Sequence, residues 1–79
     1  MEEIELTSAV QILILRNKGY RFKHIKTGNI YTLITHIRSK NPLNEDWYDA
    51  FLYTNDKQQK FCRSCQSFAL NFKAVKDDG

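Results

Sequence analysis

Acidic residues are missing from nearly half of this chain: none occurs between Leu6 and Asn44. Over that stretch Arg16, Lys18, Arg21, Lys23, Lys26, Arg38 and Lys40 are all basic, so the formal net charge of +3 is unevenly spread. The acids gather instead at the two ends, Glu2, Glu3 and Glu5 and Asp77 and Asp78, and in the middle at Glu45, Asp46, Asp49 and Asp56. A one-sided positive segment is the raw material for an anionic partner. It is equally what the edge strands of a small barrel carry to stay soluble and unpaired. Other scarcities exclude more. The two cysteines, Cys62 and Cys65, stand three apart and form no disulfide framework, which points to a reduced, cytoplasmic protein. The longest apolar run, residues 12–15, is far short of the roughly 20 residues of a membrane-spanning helix. The acidic start has the wrong sign for a signal peptide. Gly19, Gly28 and Gly79 are isolated, so no glycine-rich phosphate loop exists.

What the chain does have is aromatic rings. Its five Phe, four Tyr and one Trp exceed what a small core must bury, which leaves some for solvent or a ligand. A chain of 79 residues supports one domain, burying roughly 60–65% of the surface its unfolded form exposes. Residues 1–7 read as a loose acidic arm. Ser8 offers an N-cap with Gln11 three residues on, and Gly19 a stop, so residues 8–19 read as a helix. Val10, Leu13 and Ile14 share one of its faces. The continuous apolar run inside it is also strand-like, and the caps decide for helix.

From Tyr20 the pattern changes to short β-rich runs separated by turn residues. Residues 20–26 and 30–38 flank Thr27-Gly28-Asn29, a hairpin signal. A loop with the single proline, Pro42, leads to strands over 47–54 and 60–63. A helical turn over 64–71 and a last strand over 72–75 follow, and residues 76–79 read as a frayed tail. The spacing predicts a mainly β domain (α+β): a small SH3-like five-stranded barrel over 20–75, an N-terminal helix packed on it, and a short helical turn before the last strand.

Phe22-Lys23-His24-Ile25-Lys26-Thr27-Gly28-Asn29-Ile30-Tyr31 resembles the Tyr-Arg-His-x-Lys-x-Gly-x-x-Tyr opening of a family of small uncharacterised bacterial and phage proteins. That family closes with an aromatic-x-Arg-Pro-x-x-x-Phe element, which Phe61, Arg63 and Phe68 match in register, with Ser64 in the place of proline. Phe72 is like a further aromatic of the phage members. The likeness spans about two thirds of the chain. It implies an SH3-like barrel of phage or prophage type, and it carries no implication of any activity, since none is established for that family.

Neither do the residues compose a catalytic site. Cys62-x-x-Cys65 has zinc-ligand spacing, but His24 and His36 would have to complete the tetrahedron. With a turn centred on Gly28, His24 falls near Thr32 and about 13 Å from His36 along the strand, too far to share a metal. The cysteines read as small buried hydrophobes, and no metal or cofactor is expected. Nothing orients His36 toward a thiol for nucleophilic chemistry. Binding is the better expectation. Lys23, His24, Lys26, Trp47 and Arg63 are its candidate residues: cations and a ring for contact, with Arg63 able to fork onto a carboxylate or phosphate. Against each stands a structural role, such as Arg63 pairing with Asp49 or Asp56 or stacking on a neighbouring ring. Three functions remain open: a stoichiometric inhibitor of a host protein in host takeover or anti-defence, a sequestering or sensing protein for a small anion such as a nucleotide, and an SH3-like nucleic-acid module.

Overall fold

The computed structural model describes residues 2–76. In chain order they form β1 (Glu2–Glu5), α1 (Ala9–Asn17), β2 (Arg21–His24), β3 (Ile30–Lys40), β4 (Trp47–Thr54), β5 (Lys60–Ser64), α2 (Cys65–Asn71) and β6 (Phe72–Lys76). All six strands join one antiparallel sheet in the order β1-β6-β2-β3-β4-β5. The sheet is open, so the mainly β architecture with two short helices replaces the expected closed five-stranded SH3-like barrel. The reason lies at β6. Closing a barrel from the last five strands would need β5 to pair with β6, and β6 already has β2 on one edge and β1 on the other.

The expected loose arm over 1–7 is instead, over Glu2–Glu5, an edge strand of the sheet. Glu2 and Glu5 lie opposite Lys76 and Lys73 in the register, the Glu2 carboxylate accepts from the Tyr20 hydroxyl at 3.1 Å, and Glu3 pairs with Lys23 at 2.8 Å. Opposite charges facing one another across strands favour this register over a slipped one. Lys76 belongs to β6, and of the expected tail only residues 77–79 remain, outside the described residues. The hydrogen bond and charge of Lys23 hold the Glu3 carboxyl below its ordinary pKa of 4.5. A carboxylate lowered by folding stabilises the fold above its unfolded pKa and loses that effect as pH falls through the folded value. The unfolding midpoint of Glu3→Gln is thus expected below that of the wild type at neutral pH. The two should converge on acidification, as a thermal series across pH will check.

The helix does not stand at the N-terminus. It is the crossover from β1 at one edge to β2 inside the sheet. Ser8 caps it, its hydroxyl accepting from the Gln11 amide at 3.1 Å. The Gln11 side chain in turn accepts from the Thr7 amide and donates to the Glu5 carbonyl, which ties helix to strand. Its buried residues are Ile12 and Leu15, while Val10 is 68% and Ile14 49% exposed. The face shared by Val10 and Ile14 is the outer one. In Ile-Leu-Ile-Leu no polar residue sets the phase, so contact with the sheet chooses it.

Between β2 and β3 the Asn29 carbonyl accepts from the His24 amide at 2.8 Å, and Gly28 supplies a φ of +77° in the loop over 25–29. His24 thus faces Asn29, not Thr32. The Ile25 amide donates to the Asn71 carbonyl at 2.9 Å, one step beyond the His24–Phe72 pair, so contact with the chain of β6 continues just past the end of β2.

One face of the sheet carries Phe22, Leu33, Phe51, Tyr53, Phe72 and Ala74, and Ile12, Leu15 and Phe68 of the helices bury against it. Phe68 stacks on Phe72 with centroids 4.2 Å apart and meets Phe22, Phe51 and Tyr53 edge-on. A bulge breaks the β3–β4 register between Leu33 and Thr35. Arg16 fills the breach from the end of α1, donating from Nε to the Leu33 carbonyl at 3.2 Å and from its terminal nitrogen to the Ile34 carbonyl at 2.6 Å. Arg16→Met keeps the stem and removes both donors. A loss of about 1–2 kcal/mol is expected by urea denaturation, and Arg16→Lys should recover only part of it, lacking the fork.

Candidate functional site

The five residues singled out from the sequence do not gather at one place. Lys23 is tied to Glu3 on the helix-free face of the sheet. His24 points to the other face, with its ring edge-on to Phe72 at 5.0 Å and Nδ1 3.0 Å from the Thr27 hydroxyl. Arg63 lies over the same Phe72 ring at 5.5 Å and donates to the Tyr53 and Ser67 hydroxyls at 3.3 and 3.2 Å. It fastens β5 to α2, so the stacking role accounts for its guanidinium. Lys26 is exposed in the β2–β3 loop. Trp47 stands far from all of these, near the end of the longest hairpin.

That hairpin is the most distinctive surface of the molecule. β5 covers β4 only from Ala50 onward, and β2 pairs with β3 only at Ile30 and Tyr31. Residues 38–40 and 47–49 consequently pair with each other and with no third strand, making a two-stranded arm. Its tip is firmly built. Asn41 and Asp46 close it through a 2.8 Å backbone bond, and the side chains of Asn41 and Asn44 accept from the amides of Leu43 and Asp46. Leu43 projects from this tip 93% exposed, Trp47 follows at 58%, and Tyr48 is exposed on the opposite face. Lys40 lies 5.9 Å over the Trp47 ring and 4.0 Å from Glu45, and Arg38 and His36 flank Asp49 at 3.9 and 3.3 Å. Apolar side chains thus stand within a rim of internally paired charges, the composition of a protein-recognition patch.

No family model, curated protein or solved structure matches this chain.

Function must therefore come from the surface chemistry. The basic run that stands out in the sequence is largely engaged inside the molecule: Arg16 with the bulge, Lys23 with Glu3, Arg38 with Asp49, Lys40 with Glu45. The cysteines are both free. Cys62 is exposed on edge strand β5, which corrects its reading as a buried hydrophobe, because its side of β5 is the one without helices. Burial first, and then the negative charge of Asp49, push the Cys65 thiol above its ordinary pKa. That is the opposite of what a nucleophilic thiolate requires. Among the described residues no three His, Cys, Asp or Glu side chains converge as metal ligands.

Sequence reasoning found Trp47 but passed over Leu43 and Tyr48. The signal for Leu43 was there: a leucine held between Asn41-Pro42 and Asn44, in a loop too short to bury it. It also passed over the largest groove, which holds none of the five residues. That groove lies between the β2–β3 and β4–β5 turns and is lined by Arg21, residues 28–31, Asn55, Asp56, Lys57 and Gln59.

Proposed function

We propose that this protein is a non-enzymatic binding module that acts stoichiometrically on another protein. The observation that carries the reading is the two-stranded arm with Leu43 and Trp47 exposed at its end. A lone exposed leucine needs no explanation, but an exposed Trp, Tyr and Leu on one unsupported hairpin do. Ordered backbone at the tip lowers the entropy lost on docking, and Trp and Tyr carry much binding energy at little rotamer cost. The partner that fits is a folded protein with an apolar cleft for Trp47 and mixed charge around it. The likeness of the β2–β3 hairpin to small phage-type proteins makes the setting a phage or prophage. The partner is then a host protein, bound in host takeover or to disarm a defence, in the host cytoplasm.

A purified partner recovered by affinity capture should bind one-to-one in analytical ultracentrifugation. Photo-crosslinkers placed at Leu43 and Tyr48 should label it, and crosslinkers on β1, remote from the arm, should not. Labelling from β1 with silence at the arm would sink the reading.

A further inference from the structure

We propose that the groove between the β2–β3 and β4–β5 turns is a site for the phosphate group of a small organic phosphate of mononucleotide size. It is independent of the arm and of the partner that the arm would hold.

The groove encloses about 640 Å³, within the range of small-molecule sites. Its position follows from the register. Phe22 faces Tyr31, and one step along the two strands sets Arg21 beside Thr32, which in turn faces Thr54. Arg21 therefore lies on the helix-free face, in the same cross-strand row as the last residue before the β4–β5 turn. Arg21 of β2 lines one side, and Asn55, Asp56, Lys57 and Gln59 of the β4–β5 turn line the other, with Ile30 and Tyr31 also in the lining.

Two cations meet here from separate elements, Arg21 and Lys57, and neither side chain has a hydrogen bond or ion pair among the described residues. They contrast with Arg16, Lys23, Arg38 and Lys40, all of which have internal partners. The turn opposite Arg21 is built in advance. Asn55 Oδ1 accepts from the amides of Lys57 and Gln59 at 3.0 and 2.9 Å, its Nδ2 donates to Gln59 Oε1 at 2.7 Å, and Gln58 takes a φ of +63°. A wall locked by its own hydrogen bonds presents Lys57 with little further ordering on binding.

The charge pattern selects the ligand. A phosphate monoester is a dianion that takes a forked pair of hydrogen bonds from Arg and a point charge from Lys. A monocarboxylate would leave one of the two cations unmatched. Asp56 opposes any anion, and by that token supplies a test of sign. The volume beyond one phosphate, over Ile30 and the Asn29 and Gln59 carboxamides, takes the organic part.

Amide NMR of the labelled full chain, titrated in turn with AMP, inorganic phosphate and unphosphorylated adenosine, tests this. AMP should give saturable shifts at Gly28, Asn29, Ile30 and Gln59, inorganic phosphate the same amides more weakly, and adenosine none. Arg21→Gln and Lys57→Gln should each weaken AMP at least about tenfold, and Asp56→Asn should tighten it, with the spectra themselves reporting that each variant is folded. Lys26→Gln, outside the groove, should change nothing. Absence of saturable shifts at millimolar AMP overturns the proposal, as does unchanged affinity in the Arg21 and Lys57 variants. A short thymidine oligonucleotide that shifts these amides while AMP does not would overturn it too, in favour of a strand-binding surface.

Discussion

Phe68→Ala is expected to be the most damaging single truncation in this fold. The Phe68 side chain is fully buried and touches four rings, Phe72 face to face and Phe22, Phe51 and Tyr53 at their edges. These belong to β6, β2 and β4, so one side chain of α2 joins three strands that are not all neighbours in the sheet. Truncating a buried Phe costs about 3–5 kcal/mol through lost transfer energy and the cavity left behind. A domain of this length holds a total of about 4–12 kcal/mol. The variant should therefore show a urea transition at much lower denaturant than the wild type, and if the total lies at the low end of that range it sits near its unfolding midpoint with weakened far-ultraviolet dichroism. Phe68→Leu, which keeps much of the volume, should cost well under that. A loss below about 1 kcal/mol for the alanine variant would mean that the five-ring cluster does not hold the sheet together.

Trp47→Ala should do the opposite, leaving the fold alone and removing its recognition. The residue is more than half exposed, and the ammonium of Lys40 lies over its ring. Loss of that contact changes stability by no more than about 1 kcal/mol. A Trp that fills a partner's cleft is worth about 2–4 kcal/mol, or roughly thirty- to several-hundredfold in Kd. Titration calorimetry against the purified partner reads this directly. Leu43→Ser should add to the loss, and Arg21→Gln, in the distant groove, should leave it unchanged. Full affinity in the double variant Leu43→Ser, Trp47→Ala would mean that the arm is not the docking surface.

Local signals carried part of this fold plainly. Ser8 with Gln11 marked the start of α1, because a cap works through bonds between residues three apart. Gly28 marked a loop because its positive φ is a property of one residue. The run over 47–54 forms β4, where Ala50, Phe51 and Tyr53 are buried. The candidate site was less legible. Trp47 was singled out, but Arg63 and Lys23 have charges that a linear reading leaves available, and the fold gives each an internal partner. Arg21 and Lys57 lie far apart in the chain and come to one groove only through the pairing of β3 with both β2 and β4.

The sequence by itself determined roughly where five of the six strands, their turns and the helix caps lie, since propensity, φ preference and capping act over a few residues. It also determined that the charge is lopsided and that rings are in excess. Tertiary structure decided everything that depends on partners distant in sequence. The acidic segment became a sixth strand on β6, tied across the sheet by the Glu3–Lys23 pair, and that strand took the edge of β6 that closure of the barrel required. The exposed face of α1 was decided the same way, by what the sheet left uncovered. Opposite charges and apolar faces are short-range in space, and their positions along the chain do not say which of them will meet.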